Sequence, residues 1–305
     1  MNAPLPILVV GSVAFDDIET PHGRRESCLG GSATYFSASA SLFAPVRVVA
    51  VVGEDFPQAH LDALSARGVD LDGVDRVPGR TFRWSGRYSD EVADAETLDT
   101  QLNVLQHFDP RIPAHYRDSP MVFLGNIHPA LQLQVLDQIE RPQLIAADTM
   151  NFWITGERAA LEKVLARLDM LVINETEARL LAQTSNVFVA ADRILEMGPR
   201  ILVVKRGAYG ALLFHPDGTF FVPAVPLREV VDPTGAGDTF AAGLMGHLAR
   251  VATFDFPTLR RAVLSGTVMA SFACQGFSLD RVLDVEHTDV EARMRELLTL
   301  IHPGD

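Results

Sequence analysis

Val-Val-Asp-Pro-Thr-Gly-Ala-Gly-Asp-Thr-Phe, residues Val230 to Phe240, is the stretch on which the reading turns. A β-like run meets a turn rich in proline and glycine, and the spacing of Ala241, Leu244 and Leu248 predicts a helix that starts near Gly237. Gly235 and Gly237 leave the backbone uncrowded, so successive N–H groups can converge on an anion at that helix N-terminus. Asp238 falls in the first turn, where the helix dipole favours an ionised carboxylate at neutral pH. Beside an anion site it is placed to take a proton from a hydroxyl that attacks a phosphoryl group. On the glycines alone, an ordinary N-capped helix after a glycine turn accounts for the same residues equally well.

Outward from this stretch, apolar β-rich runs alternate with helical segments. Strands are expected at Ile7 to Ala14, Val46 to Val52, Met121 to Gly125, Leu144 to Asp148, Met170 to Asn174 and Ile201 to Lys205. Helices are expected at Ser32 to Phe43, from Pro57 to before Gly68, and at about 129–139, 156–167 and 175–196. Strands that are apolar without alternation are buried on both faces, which predicts an α/β fold with a mostly parallel sheet covered by helices. Ala211 to His215 and Thr219 to Pro223 flank Pro216-Asp217-Gly218, a hairpin signal.

Two segments break the rhythm. Asp16 to Glu26 is polar and helix-poor, and Arg76 to His107 mixes β-like pieces (Thr81 to Tyr88, Thr100 to Leu105) with an acidic run, Asp90 to Asp99. Insertions of this size inside a compact domain are commonly lids, although a solvated hairpin has the same composition. With no repeats or long linkers, the expectation is one domain over residues 1–305 with lid segments at about 16–28 and 76–107.

Composition narrows the partners. Twenty-six Lys and Arg against 39 Asp and Glu give a net charge of −13, and no basic run exceeds a pair such as Lys205-Arg206. Nucleic acid and acidic membranes are therefore not expected as partners, whereas one phosphate gripped by backbone N–H groups is compatible with any net charge. Cys28 and Cys274 make neither a disulfide framework nor a metal pattern, which fits a reducing cytoplasm. The apolar run from Leu5 to Phe15 has no preceding Lys or Arg, so it reads as a buried strand and not a signal peptide. No apolar stretch approaches the roughly 18–20 residues of a membrane span. The nine histidines are scattered, and no structural metal is expected.

The first strand ends in Gly11-Ser12-Val13-Ala14, without the Gly-x-Gly-x-x-Gly of a dinucleotide fold, and no Walker loop is present. The segment Asp232 to Phe240 instead resembles the C-terminal signature of the ribokinase-like (PfkB) carbohydrate kinases. Other pieces match in the same order: Gly11-Ser12 with Asp16, the diglycine Gly30-Gly31, Val51-Val52-Gly53-Glu54-Asp55, Asn174-Glu175-Thr176-Glu177, and Val204 to Gly210. The matches extend over about residues 7–280.

The resemblance implies a three-layer α/β/α domain with a small β lid, and an ATP- and Mg2+-dependent kinase acting on a hydroxyl of a sugar or, second, a nucleoside or polyol. It implies Asp238 as general base and Gly235, Ala236 and Gly237 as an anion hole for the transferring phosphoryl. Asn174 and Glu177 would organise magnesium through water, and Lys205, Gly207 and Gly210 would lie along the nucleotide. Asp16, Gly30 and Gly31 would serve the acceptor and the lid hinge. Asp232 and Thr234 mark a place where a monovalent cation such as K+ is held by backbone oxygens. A homodimer through the lid is implied by analogy only.

Read alone, several of these residues have plainer uses: Asn174 as an N-cap, Asp16-Asp17 and Gly30-Gly31 as turns. Tyr35 stands where many members place a sugar-contacting asparagine; it can stack, hydrogen-bond or simply pack. Asn126, Asp148 and Asn151 can reach an acceptor or cap loops, and Arg83 and Arg87 can reach a ligand or solvate a strand. A silent sugar- or nucleotide-binding protein on the same scaffold is the rival from another class. Retention of Asp238 and both glycines argues against it.

Overall fold

The computed structural model describes residues 3–89 and 95–302. Residues 90–94, part of the acidic run, lie outside the described residues. The strands are β1 (Ile7–Val10), β2 (Ala14–Thr20), β3 (Gly23–Gly30), β4 (Val46–Gly53), β5 (Val69–Val77), β6 (Phe82–Arg87), β7 (Glu96–Gln101), β8 (Met121–Leu124), β9 (Leu144–Ala147), β10 (Met170–Asn174), β11 (Ile201–Lys205), β12 (Ala211–His215) and β13 (Gly218–Val222). The helices are α1 (Ser32–Ala40), α2 (Gln58–Ala66), α3 (Pro129–Leu136), α4 (Asn151–Gly156), α5 (Arg158–Leu165), α6 (Glu175–Ala182), α7 (Val187–Leu195), α8 (Ala236–Val251), α9 (Phe256–Ala273), α10 (Asp280–Asp284) and α11 (His287–Ile301).

The main sheet has nine strands in the order β13-β12-β11-β10-β9-β8-β1-β4-β5. It is parallel from β11 to β5 and ends in the antiparallel hairpin foreseen around Pro216-Asp217-Gly218. Alternate residues of β1 explain the layers. Ile7 and Val9 join a core with Phe36 of α1, Leu244 of α8 and Val263 of α9. Leu8 and Val10 join a second core with Val135 of α3, Leu161 of α5, Leu181 of α6 and Ile194 of α7. Both faces of the sheet are thus covered, as its unbroken apolar strands require. The result is the expected three-layer α/β/α fold.

A second sheet, β3-β2-β6-β7, contains the two segments that broke the rhythm. β2 pairs antiparallel with β3 and parallel with β6, joining residues 14–30 to residues 82–101.

Local boundaries differ from the sequence reading for definable reasons. The first apolar run divides at Gly11, so β1 ends at Val10 and Ala14 already belongs to the small sheet. The segment 175–196 is two helices: Gln183, in a left-handed conformation at φ 52°, ends α6, and the Asn186 side chain caps α7. The segment 156–167 is likewise divided, with α5 starting at Arg158. Val230-Val231 lies outside any strand, and α8 begins at Ala236 rather than Gly237. Thr100 to Leu105 leaves β7 at Gln101 and tightens into a 3-10 turn. β5 was not foreseen, because an edge strand reading Val-Asp-Leu-Asp-Gly-Val-Asp lacks an apolar run. Among the described residues, no helix is long and apolar enough to cross a membrane.

Candidate active site

Most of the candidate residues gather at the carboxyl ends of the parallel strands, the edge where open α/β sheets bind ligands. Ser12 follows β1, Asn126 follows β8, Asp148 follows β9, Asn174 ends β10 and Lys205 ends β11. The N-terminus of α8 is brought against this edge: Gly237 lies so close to Lys205 that a methyl group there would sit 3.0 Å from the Lys205 ammonium.

Gly235 caps α8 with φ +71°. Its αL backbone suits glycine, and so does its surroundings, since a Cβ there would overlap the ring of Tyr35. The N–H groups of the first helical turn have no acceptor within the helix. One of them, on Ala236, donates to the Pro233 carbonyl at 3.1 Å. Asp238 follows in the same turn. Burial, with Asp148 next in effect, pushes its carboxyl up to about 7 against an opposing pull from Lys205. The helix dipole alone predicts an ionised carboxylate at neutral pH; desolvation is the larger effect here.

Lys205 Nζ donates to Asp148 Oδ2 at 2.9 Å. Burial tends to neutralise the ammonium, yet Asp148, Glu177 and Asp238 together hold its pKa above the usual lysine value. Asn174 and Glu177 form a reciprocal cap on α6: Asn174 Oδ1 accepts from the Glu177 N–H, and Glu177 Oε2 from the Asn174 N–H, both at 2.8 Å. The plain N-cap use of Asn174 is therefore present. Glu177, however, is buried and not an exposed glutamate. Gly207 and Gly210 follow β11, both at positive φ, and Arg206 pairs with Glu175 at 2.8 Å.

On the other side of the turn, Asp16 of β2 is buried. Burial and the neighbouring carboxylates of Asp232 and Asp238 push it up to about 8, against a hydrogen bond from the Gly31 backbone. Gly30 is required here, since a Cβ would overlap the Asp16 carboxylate. Asp232 is fully buried, accepting from the N–H of Thr234 at 2.8 Å and of Ser278 at 3.0 Å. Desolvation raises its pKa in spite of these bonds. Thr234 Oγ1 donates to the Tyr88 hydroxyl at 3.1 Å, so the small sheet reaches the α8 turn.

Comparison with known proteins bears on the family and the fold. The family model described as pfkB family carbohydrate kinase matches residues 137–284. Cytidine kinase of Thermococcus kodakarensis is 33% identical over 81% of this chain and 89% of its own length. The chain belongs to the PfkB family of carbohydrate kinases. It is accordingly a phosphotransferase with an alcohol acceptor. Two solved structures share the fold: Burkholderia thailandensis nucleoside kinase with ADP-inosine (20% identity, TM-score 0.81, 96% of each chain) and the E. coli ribokinase II complex with ATP and Mg2+ (20%, TM-score 0.78, 96% of this chain and 99% of that one).

Within this PfkB-family site two sequence expectations need correction. Tyr35 has no exposed surface and packs under Gly235, so it does not present its ring to an acceptor. Ala236 spends its N–H on Pro233, which leaves the turn's other amides to meet an anion. Asn126 stands at the site edge with its amide held by Trp153 Nε1 at 2.8 Å and by Met150 Sδ at 3.2 Å. Arg83 and Arg87 pair with Asp17 and Glu19 inside the small sheet, the strand-solvating use. Asn151 is exposed at the start of α4.

Sequence reasoning missed Asp148 as the partner of Lys205. Its signal was available: like Lys205, it is a charged residue directly after an apolar strand. Tyr88 and Ser278 carried no such signal, because they meet Thr234 and Asp232 across 146 and 46 residues.

Proposed function

We propose that this PfkB-family kinase transfers the γ-phosphoryl of ATP to a hydroxyl of a nucleoside. The observation that carries the reaction is Asp238: a carboxyl held near pKa 7, in the first turn of α8, within electrostatic reach of both Lys205 and Asp16. A base poised near the working pH is what proton removal from an alcohol asks for. The acceptor hydroxyl gives its proton to Asp238 and its oxygen bonds to phosphorus, while the bond from phosphorus to the departing ADP breaks. Amides at the α8 N-terminus and the Lys205 ammonium oppose the charge that builds on the phosphoryl oxygens.

The donor set suits a magnesium nucleotide. Glu177 brings a buried carboxylate close enough to Lys205 to raise its pKa, and hard oxygen ligands are what magnesium prefers. Asn174 and Glu177 would hold the ion through water, and magnesium would neutralise the phosphates; Gly207 and Gly210 would border the nucleotide. Asp16, mostly protonated below pH 8, would donate to an acceptor hydroxyl, and the small sheet would close as a lid about Gly30 and Gly31.

The family resemblance ranked a sugar before a nucleoside; the similarity to a cytidine kinase along 89% of that enzyme favours the nucleoside. Within the same reading, a single domain over residues 1–305 carries the lid. K+ would lie on backbone oxygens near Asp232 and Thr234, and β7, exposed along its whole length, would be a dimer edge. The free thiols Cys28 and Cys274 support a cytoplasmic setting.

ADP release over a panel of cytidine, inosine, adenosine, ribose, fructose and inositol tests the acceptor, with and without K+. Nucleosides should lead in kcat/KM, and a sugar in front would overturn the choice. Asp238→Asn should lower turnover on the order of 10²–10⁴-fold with ATP affinity retained. Near-wild-type turnover would remove the base.

A further inference from the structure

We infer that Tyr35 is the positioning residue of the α8 turn: its buried ring is the floor on which Gly235 rests, and so it fixes where the first-turn amides and Asp238 stand. This rests on the role proposed above for that turn.

Tyr35 is anchored from the sheet. The carboxyl end of β1 is tied to the start of α1 by four bonds: Ser12 N–H to Ser32 Oγ at 3.1 Å, Ser32 N–H to Ser12 Oγ at 3.0 Å, the two hydroxyls to each other at 3.3 Å, and Ala33 N–H to the Ser12 carbonyl at 2.9 Å. Tyr35 lies in the first turn of α1, its N–H donating to the Gly31 carbonyl at 3.1 Å. Its backbone is therefore fixed to the main sheet. The side chain is wholly buried, and α1 packs against α8.

The ring meets α8 at one place that tolerates no added atom. A Cβ on Gly235 would overlap ring carbons Cγ, Cδ1 and Cδ2 of Tyr35, so the peptide crosses the ring face as closely as glycine allows. At the far end the hydroxyl lies among Asp16, Asp232 and Ser278. These are the acceptor-side carboxyl and the two residues that brace the loop before the turn. One rigid aromatic side chain thus meets the α8 turn from beneath, and its hydroxyl is within electrostatic reach of Asp16 on the acceptor side. An aromatic ring has few rotamers and resists compression, which suits it to hold a backbone segment at a set height.

The same geometry says what Tyr35 does not do. With no exposed surface it is not a contact for the acceptor. Its removal should therefore be read in kcat and not in acceptor KM.

The test uses the whole chain and five variants, each checked by thermal melting. Tyr35→Phe keeps the ring and should keep kcat within about twofold. Tyr35→Ala should lower kcat at least tenfold, with acceptor KM within about threefold of wild type. Gly235→Ala should be nearly inactive, and adding Tyr35→Ala to it should recover activity at least fivefold over Gly235→Ala alone, because the ring that the new methyl strikes is gone. An acceptor KM raised tenfold or more in Tyr35→Phe would overturn the proposal, by making the hydroxyl a ligand contact. Wild-type kcat in Tyr35→Ala, or no recovery in the double variant, would overturn it as well. If the Tyr35→Ala variants do not fold, Tyr35→Leu, which removes the ring but keeps an apolar side chain, takes their place under the same kcat and KM criteria. Asp238→Asn separates the two readings: if it is fully active, the role of the turn fails. If it is inactive while the Tyr35 variants behave as wild type, only the positioning role fails.

Discussion

Asp238 sits where two opposed influences meet, and their balance is measurable. An N-terminal helix position favours the carboxylate by an amount that typically stays near 1 kcal/mol, whereas burial can shift a carboxyl by several pKa units. Here burial prevails, and the group is held at about 7. A base of that pKa is protonated at pH 6 and ionised at pH 8, so turnover should climb with pH through a limb centred near 7. Flat turnover from pH 5.5 to 8.5 would show that this carboxyl does not gate the reaction. The neighbours supply a second, sharper check. Asp148 raises the Asp238 pKa and Lys205 lowers it. Asp148→Asn should therefore move the limb to lower pH, and Lys205→Met should move it to higher pH. Lys205→Met should also cost roughly 10²-fold in kcat if its ammonium faces the transferring phosphoryl. Shifts of the same sign in both variants would contradict the arrangement.

Helix α6 shows how an element can share residues between fold and chemistry. Asn174 and Glu177 cap each other's backbone N–H groups, and the same pair is proposed to organise magnesium. The two duties can be pulled apart. Glu177→Gln retains an oxygen for the Asn174 N–H, so its melting temperature should change little while its magnesium requirement rises. An unchanged magnesium titration would leave Glu177 a cap and nothing more. Asn174→Ala should instead cost about 1 kcal/mol of stability, as the loss of an N-cap does. This doubling also explains what the residues alone could reveal. The parallel strands were legible because burial on both faces forces unbroken apolar runs, as in Ile201 to Val204. The glycine turn and its first-turn carboxylate were legible because an αL cap and an acidic residue at a helix start leave local marks. The sequence left Tyr35 open between ligand contact and packing because its meeting with Gly235 joins residues 200 positions apart, and nothing in either neighbourhood records it. The small sheet was visible only as a break in rhythm, since β7 is exposed throughout and β2 carries polar residues on both faces, Asp16 toward the site and Asp17 and Glu19 paired with Arg83 and Arg87.

Across the whole molecule, a net charge of −13 is matched by an acidic site: Asp148, Glu177 and Asp238 act on the Lys205 ammonium, and Asp232 and Asp238 act on Asp16. A polyphosphate would be repelled by that many ionised carboxylates, which is a physical reason for a divalent cation to accompany it and for some of the carboxyls to keep their protons. Stability should record those protons. The ordinary value for aspartate is near 3.8, while Asp16 is held at about 8 and Asp238 at about 7. Between about pH 4 and pH 8 the folded protein therefore binds more protons at these groups than the unfolded chain does. Their contribution is present in full below pH 4 and is lost as pH rises through 7 and then 8. Melting temperature should accordingly fall from about pH 4 to pH 8 and level off above. Asp16→Asn keeps the shape of the side chain under Gly30 but has no proton to lose, so it should flatten that fall. At pH 9 the variant should melt above wild type, by roughly 2 °C for each kcal/mol of charge burial relieved. Melting of wild type and Asp16→Asn by circular dichroism at half-unit pH steps measures this directly. Parallel curves for the two proteins would mean that Asp16 is not the group whose burial the fold resists.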